Sequence, residues 1–334
     1  MNSRSNIIVV GGAGYIGSHT CKALAMSGYH PVVYDNLSNG HIEAVKWGPL
    51  EQGDILERKK IDYVFKKYAP EGVMHFAAYT AVGESVQEPG KFYRNNVVGS
   101  LNLLESMREN NVDKMVFSST CAIYGIPEKL PLSEDHPQNP INPYGASKAM
   151  TEKMLFDFSD AYHMKTISLR YFNAAGADPE KEIGASHYPM THIIPIVIEA
   201  ACGQRPFVEI YGSDYPTPDG TGVRDYIHVS DLADAHILAL EYLKKGGEST
   251  AFNLGTGTGY SVRDVIRAVE KVSGKTIKTR EISRRPGDAP IFVAKSDYAE
   301  KIMGWKAKYV NLEDIVKTAY EWHKRRAGNT GKKI

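Results

Sequence analysis

The chain has 334 residues, 42% of them hydrophobic and 24% charged, and 40 basic against 39 acidic side chains leave a formal charge of +1. This is the composition of an ordinary globular protein, not of a disordered, collagen-like or coiled-coil chain, and the near-zero balance gives no global reason to expect nucleic acid or an acidic membrane surface as partner. No apolar run approaches the ~20 residues of a membrane helix; the densest, 193–202, is broken by Pro195 and Glu199.

Residues 6–10 read as a strand, 15–27 as a helix and 31–34 as a second strand. The strand signal returns at 73–76 and 114–118, with a helix over 91–110 between them, and again at 166–170. Short β-branched runs separated by helix-length stretches imply βαβ units, and hence a parallel sheet with helices on both faces. The unbroken run Ile7-Ile8-Val9-Val10 suits a strand buried on both sides. From 171 to 225 the chain is rich in Pro, Gly and Tyr and the alternation lapses. A strand at 226–229, a helix over 231–245 and a strand at 251–254 restore it. A glycine-rich loop then fills 255–259, and Ser261 caps a helix running to 273. The polar, basic tail from 324 reads as frayed and solvated. Three widely spaced cysteines, Cys21, Cys121 and Cys202, fit reduced thiols in the cytosol, and a polar start leading straight into a strand predicts no signal peptide.

Between the first strand and the first helix lies Gly11-Gly12-Ala13-Gly14-Tyr15-Ile16-Gly17. Gly12, Gly14 and Gly17 satisfy GxGxxG, and Gly11, Gly14 and Gly17 the related GxxGxxG. Glycines there permit a tight turn and close approach of backbone to a pyrophosphate seated on the helix N-terminus. The context is the required one, strand before and helix after, and Asp35 ends the second strand where a carboxylate accepts from ribose hydroxyls. Its charge would repel the 2′-phosphate of NADP and no arginine follows it, which favours NAD. Asp54 could cap the adenine edge. The fold expected is α/β: a Rossmann-type doubly wound parallel sheet with a smaller C-terminal α/β substrate domain. The NAD-binding domain is expected over 1–176 plus 226–254 and the second over 177–225 plus 255–330, with a substrate cleft between them.

Pro143-Tyr144-Gly145-Ala146-Ser147-Lys148 places Tyr144 and Lys148 four apart, on one face at the start of a helix that Asn142 can cap. A phenol of pKa about 10 is a poor base at neutral pH; a neighbouring ammonium and a positive nicotinamide ring would lower that value. Upstream, Ser118-Ser119-Thr120 stands at the C-terminal end of a parallel strand, where open α/β sheets bind ligands. The Thr120 hydroxyl there could share a proton with an alcohol. Cys121 beside it reads as a small apolar filler, since no histidine base is paired with it. The eleven histidines show no HExxH or paired-ligand spacing, so no metal is expected.

With these motifs in place, the chain resembles the UDP-glucose 4-epimerases of the extended short-chain dehydrogenase/reductase superfamily, from about residue 7 to residue 305. Further stretches carry the likeness: Asp35-Asn36-Leu37, His75-Phe76-Ala77-Ala78, Asn95-Asn96, 118–125, Arg170-Tyr171-Phe172-Asn173, 284–288 and, most specifically, 219–229. The resemblance implies interconversion of UDP-glucose and UDP-galactose by transient oxidation at C4, rotation of the 4-keto sugar and return of hydride to its other face. It makes Tyr144 the base, Lys148 its cationic partner and ribose ligand, and Thr120 the hydroxyl beside the substrate. Gly11, Gly14, Tyr15, Ile16, Gly17, Asp35, Asn36, Asp54, Ile55, Phe76, Ala77, Ala78, Asn95, Tyr144, Lys148 and Phe172 would line NAD. Asn173, His192, Ile193, Tyr211, Arg224, Arg285 and Asp288 would hold the UDP-sugar, the arginines on the diphosphate, and Phe292 would limit space at C2. Thr80 stands where some members carry a lysine facing the cofactor phosphates, and His192 where they carry a sugar-binding asparagine. A 4,6-dehydratase needs an acid/base carboxylate pair where this chain has Cys121-Ala122. A UDP-pentose 4-epimerase performs the same chemistry at C4, and a non-catalytic NAD-binding regulator typically loses the tyrosine or lysine kept here. Members commonly dimerise through the helices corresponding to 91–110 and 144–163, so a cytoplasmic homodimer is expected.

Overall fold

The computed structural model describes residues 4–186, 190–285 and 288–330. In chain order the elements begin β1 (Asn6–Val10), α1 (Tyr15–Met26), β2 (His30–Asp35), β3 (Leu50–Gln52), α2 (Arg58–Tyr68), β4 (Gly72–His75), α3 (Val82–Gln87) and α4 (Pro89–Phe92). A π-helical stretch, Tyr93–Val98, leads into α5 (Gly99–Glu109), β5 (Lys114–Ser118), α6 (Pro143–Tyr162), β6 (Lys165–Tyr171) and β7 (Asn173–Ala175). Then follow α7 (Ile193–Ala201), β8 (Val208–Tyr211), β9 (Val223–His228), α8 (Val229–Lys244), β10 (Thr250–Leu254), β11 (Gly259–Ser261) and α9 (Val262–Ser273). The chain closes with β12 (Thr279–Ile282), β13 (Ile291–Phe292), α10 (Asp297–Met303) and α11 (Leu312–Thr330).

Seven strands form one sheet in the order β10-β6-β5-β4-β1-β2-β3, parallel throughout. Alternate residues of β1 serve opposite faces. Ile7 and Val9 join Leu24 of α1 and Leu232, Ala239, Leu240 and Leu243 of α8 on one side. Ile8 and Val10 meet Ile61, Val64 and Phe65 of α2 and Leu103, Leu104 and Met107 of α5 on the other. That is why the strand is apolar at every position, each such side chain contributing ~1.5–3 kcal/mol on burial. Strand order reverses between β1 and β4, which opens a crevice at their carboxyl ends. A smaller sheet places β9 between β11 and β13, with β7 also pairing to β9, and β12 pairs β8. α7, α9 and α11 pack a third core around Ile194, Val197, Val265, Val269 and Val316.

The sequence expectations need three adjustments. The helix expected over 91–110 is continuous in its backbone but widens to π geometry at Tyr93–Val98. The 193–202 run forms α7 with Pro195 in its first turn, where a missing N–H has no intrahelical acceptor to lose. The tail expected to fray from 324 continues as helix to Thr330. Arg325 donates there to the carbonyls of Glu180 (3.2 Å) and Lys181 (2.9 Å), and Lys181 pairs with Glu321 at 3.0 Å; residues 331–334 lie outside the described residues. Ser261 caps α9 as expected, in a reciprocal box with Asp264. Among the described residues no helix is long and apolar enough to cross a membrane.

Candidate active site

The first part of the site is the crevice above β1 and β4. Gly11 leaves β1 with φ +82°, and a Cβ there would stand 2.6 Å from the Ala77 nitrogen. A Cβ on Gly17 would stand 2.2 Å from the Gly11 carbonyl oxygen. Glycine is therefore required for the loop to fold back on the first turn of α1, whose N-cap, Gly14, has no side chain to occupy the helix end. The free N–H groups of that turn form a cradle for an anion. Phe76 and Ala77 both donate through their backbone to Val10 O, at 2.7 and 3.0 Å, which binds the end of β4 to the glycine loop. Asp35 accepts from Ala13 N at 3.0 Å and Leu37 N at 2.8 Å; burial raises its pKa, and those two N–H groups work against the rise. Asn36 Nδ2 donates to Asp54 Oδ2 at 2.8 Å, and Ile55 is buried under Gly99. Glycine loop, acid and β4 end thus stand together at the carboxyl end of the sheet. Two expected liners point elsewhere with their side chains: the Tyr15 hydroxyl donates to Gly176 O at 2.6 Å, and Ile16 packs on the core.

The second part is the end of β5 facing the start of α6. Asn142 caps α6 through Gly145 N at 2.8 Å, with Pro143 in the first turn. The Thr120 hydroxyl stands beside the Tyr144 phenol, close enough to favour its ionised form, and accepts from Ala122 N at 3.2 Å. Lys148 is buried and donates to Ser118 O at 2.8 Å, with its ammonium 4.7 Å from the centre of the Phe117 ring. Here the electrostatics differ from expectation. Burial pushes Tyr144 up to about 12, with the Thr120 hydroxyl working against the rise, while burial pulls Lys148 down to about 7, opposed by the Glu152 charge. Desolvation sets the phenol's value, and Lys148, which spends its hydrogen bond on a carbonyl and is itself deprived of water, does not offset it. Cys121, beside them, is pushed up to about 12 by burial and stays a thiol.

The third part gathers several expected substrate ligands. Asp288 sits between Arg224 (3.7 Å) and Arg285 (3.4 Å), Arg285 lies over the Tyr211 ring at 4.4 Å, and Arg224 over the Phe292 ring at 5.4 Å. Phe292 meets Phe172 edge-on, 6.5 Å between centroids, and both belong to the apolar group that includes Cys121. The arginine cluster is thereby joined to the strand end that carries Thr120. Asn173 opens β7, in register with Tyr226 of β9. His192 caps α7 and lines a cavity with Tyr15, Gly176 and Trp322, whereas Ile193 packs against the α7–α9–α11 core.

The NAD dependent epimerase/dehydratase family matches residues 7–255. A UDP-glucose 4-epimerase of Rhizobium leguminosarum bv. trifolii is 53% identical over 95% of this chain and 97% of its own length. This chain belongs to that family, among the UDP-glucose 4-epimerases. The crystal structure of the Brucella ovis UDP-glucose 4-epimerase in complex with NAD superposes with a TM-score of 0.92 at 49% identity, covering 95% of this chain and 98% of that one. The enzyme from Stenotrophomonas maltophila, with bound NAD and formylated UDP-arabinopyranose, gives a TM-score of 0.94 at 36% identity, covering 98% and 100%.

Beyond the residues sequence reasoning selected, this family member builds its site on three buried polar side chains. Asn96, inside the π-helical stretch, accepts from Tyr79 N at 2.9 Å and donates to Tyr79 O and Ser147 Oγ, both at 3.0 Å. It ties the loop after β4 to the helix of Tyr144. Asp225 gathers Thr256 N, Gly257 N and Ala294 N at 2.9 to 3.2 Å, fastening β9 to the loops after β10 and β13. Glu152 pairs with Arg170 beneath Lys148. The available signals were Asn-Asn in mid-helix, where asparagine is a poor helix former, and charges inside apolar strands. The Asp178, Glu180 and Glu182 carboxylates, which have the spacing of a metal site, close instead on the ammonium of Lys22 at 2.6 to 2.9 Å.

Proposed function

We propose that this enzyme interconverts UDP-glucose and UDP-galactose by oxidising C4 of the sugar and reducing it again from the other face. The observation that carries the reading is the gathering of Thr120, Tyr144 and Lys148 at the end of β5, with the Thr120 hydroxyl beside the phenol and the Lys148 ammonium on Ser118 O. Bound NAD supplies the acceptor and donor of hydride. Tyr144 takes the C4 hydroxyl proton, and Thr120 bridges phenol and sugar hydroxyl. Lys148 holds the nicotinamide ribose and, when protonated, favours phenolate. Burial alone leaves the phenol too weakly acidic to act at neutral pH, so ionisation depends on positive charge brought to it as the site fills.

Gly11, Gly14, Gly17, Asp35, Asn36, Asp54, Ile55, Phe76, Ala77, Ala78, Asn95 and Phe172 line the cofactor, with Tyr15 and Ile16 doing so through their backbone at the start of α1. Arg224 and Arg285 hold the diphosphate, swinging from Asp288 to the incoming anion, and Tyr211, Asn173, His192, Ile193 and Asp288 complete the UDP-sugar site. Phe292 excludes a bulky C2 substituent. Fixing the nucleotide while the sugar turns places most binding energy on UDP. The first domain comprises 1–176 plus 226–254 and the second 177–225 plus 255–330. The enzyme works in the cytoplasm as a homodimer. Val98 beside α5 and Met150, Phe156 and Tyr162 on α6 expose 47, 47, 37 and 45% of their surface, an apolar area suited to burial against a second copy; a monomer in sedimentation would remove that assignment.

A second reading is favoured by the relative that binds a UDP-arabinopyranose derivative: a UDP-pentose 4-epimerase. Turnover of UDP-galactose and UDP-xylose by the purified enzyme, resolved by NMR, separates the two. UDP-glucose formed from UDP-galactose supports the first reading; turnover of the pentose alone replaces it with the second.

A further inference from the structure

One helical turn beyond Lys148, α6 carries a carboxylate that the reaction leaves unused. Glu152 is 0% exposed and its partner on β6, Arg170, 4%. Arg170 reaches it through Nη2 to Oε2 at 2.6 Å and through Nε to Oε1 and Oε2 at 3.0 and 3.1 Å. Gln138 adds a donor to Oε2 at 3.2 Å, and the Ser119 hydroxyl donates to Oε1. Arg170 turns its remaining nitrogen to the Tyr124 hydroxyl (3.1 Å) and Glu134 O (3.2 Å).

A buried ion pair is a weak source of net stability, since well-packed apolar residues often serve as well. This one is placed to do something local. Ser119 is the middle residue of the strand end, and both of its neighbours touch the site. Ser118 O accepts the Lys148 ammonium at 2.8 Å, and the Thr120 hydroxyl meets Tyr144. Tyr144, Lys148 and Glu152 fall four apart along one face of α6, so the strand end is held to that face on both sides of the reacting groups. The backbone of Ser119 is fixed as well, donating to Leu169 O at 2.9 Å.

We propose that Glu152, acting with Arg170 through the Ser119 hydroxyl, is a positioning residue for oxidation at C4: it locks the end of β5 against the face of α6 so that Thr120, Tyr144 and Lys148 meet the sugar in one geometry. This rests on the epimerase reading of the site. Glu152 also sets the charge balance at Lys148. The titratable groups around that ammonium are Tyr144 and Glu152 on its own helix, and His75 at the end of β4, held neutral by burial and bonded to Ser100. Tyr171 of β6, bonded to Ser118, and Arg170 complete the set. Removing the carboxylate charge leaves Arg170 unopposed and disfavours the ammonium.

The test compares Ser119→Ala and Glu152→Gln with the wild-type holoenzyme, using UDP-galactose and following kcat, KM and bound NAD. Ser119→Ala is expected to lower kcat roughly tenfold with KM within about twofold, and to keep its NAD. Glu152→Gln is expected to lower kcat and to move the alkaline limb of the kcat profile to lower pH. A purely structural role would lower the melting temperature and leave kcat and the pH profile as in the wild type. That outcome for Ser119→Ala overturns the proposal, and that variant decides alone if Glu152→Gln does not fold. A wild type that fails to convert UDP-galactose removes the epimerase reading and this proposal with it; an active wild type beside an unaffected Ser119→Ala removes the proposal only.

Discussion

At the scale of single residues, the site is dominated by desolvation. Tyr144 and Lys148 were legible from their spacing, and Thr120 from its place at a strand end. Their electrostatics were not, because a one-dimensional pattern shows which charges are near but not how much water is removed. The Lys148 value has a consequence for the empty enzyme. Folding lowers this pKa from 10.5 to about 7, so between those values the unfolded chain binds a proton that the fold does not. Stability should therefore rise with pH from about 7 to about 8.5. Above that range the buried Cys21 and Cys121 thiols, held protonated by the fold, pull the other way. Urea midpoints of the cofactor-free protein check this, and Lys148→Met should flatten the slope; an unchanged slope would place the titration on another group.

Among the elements, β1, α1, β2, β4 and β5 fall close to where the sequence places them, because β1 packs both faces of the sheet, whereas β3 and α2 were not read from it. Legibility fails where tertiary context decides. The π-helical turn at Tyr93–Val98 is held by side chains as well as backbone: the hydroxyl of Ser100, four residues on, donates to Asn96 O at 2.5 Å, and that of Thr151 on α6 reaches the same oxygen at 3.3 Å. α7 forms over a proline because that proline falls in the first turn. The glycine loop, by contrast, was readable from its motif, and it yields a direct prediction. A methyl group at Gly17 would meet the Gly11 carbonyl oxygen at 2.2 Å and Gly12 Cα at 2.9 Å, so Gly17→Ala must push the loop away from the helix end. We expect a protein that still folds but melts below the wild type, because the collision is with backbone and the stabilisation from bound cofactor is lost, and that carries little NAD after purification, read from the absorbance of released nucleotide. Full NAD occupancy would show that the cradle tolerates a Cβ.

On the scale of the whole molecule, the lapse and return of the βα alternation was visible, and the lapse covers the stretch that holds β7, α7 and β8. The small sheet draws β7, β9, β11 and β13 from four separate stretches of chain, which short-range periodicity cannot assemble. The arginine cluster was found only through family resemblance, since Tyr211, Arg224 and Asp288 come from three unconnected segments. The account of function brings these parts together in one claim: the hydride that leaves C4 returns to C4 of the same sugar. The most direct test is to give the purified enzyme UDP-galactose carrying deuterium at C4, with no added NAD, and to follow the products by NMR. The account predicts UDP-glucose with the deuterium kept at C4. Loss of the label to solvent, or no UDP-glucose even when NAD is supplied, would contradict it.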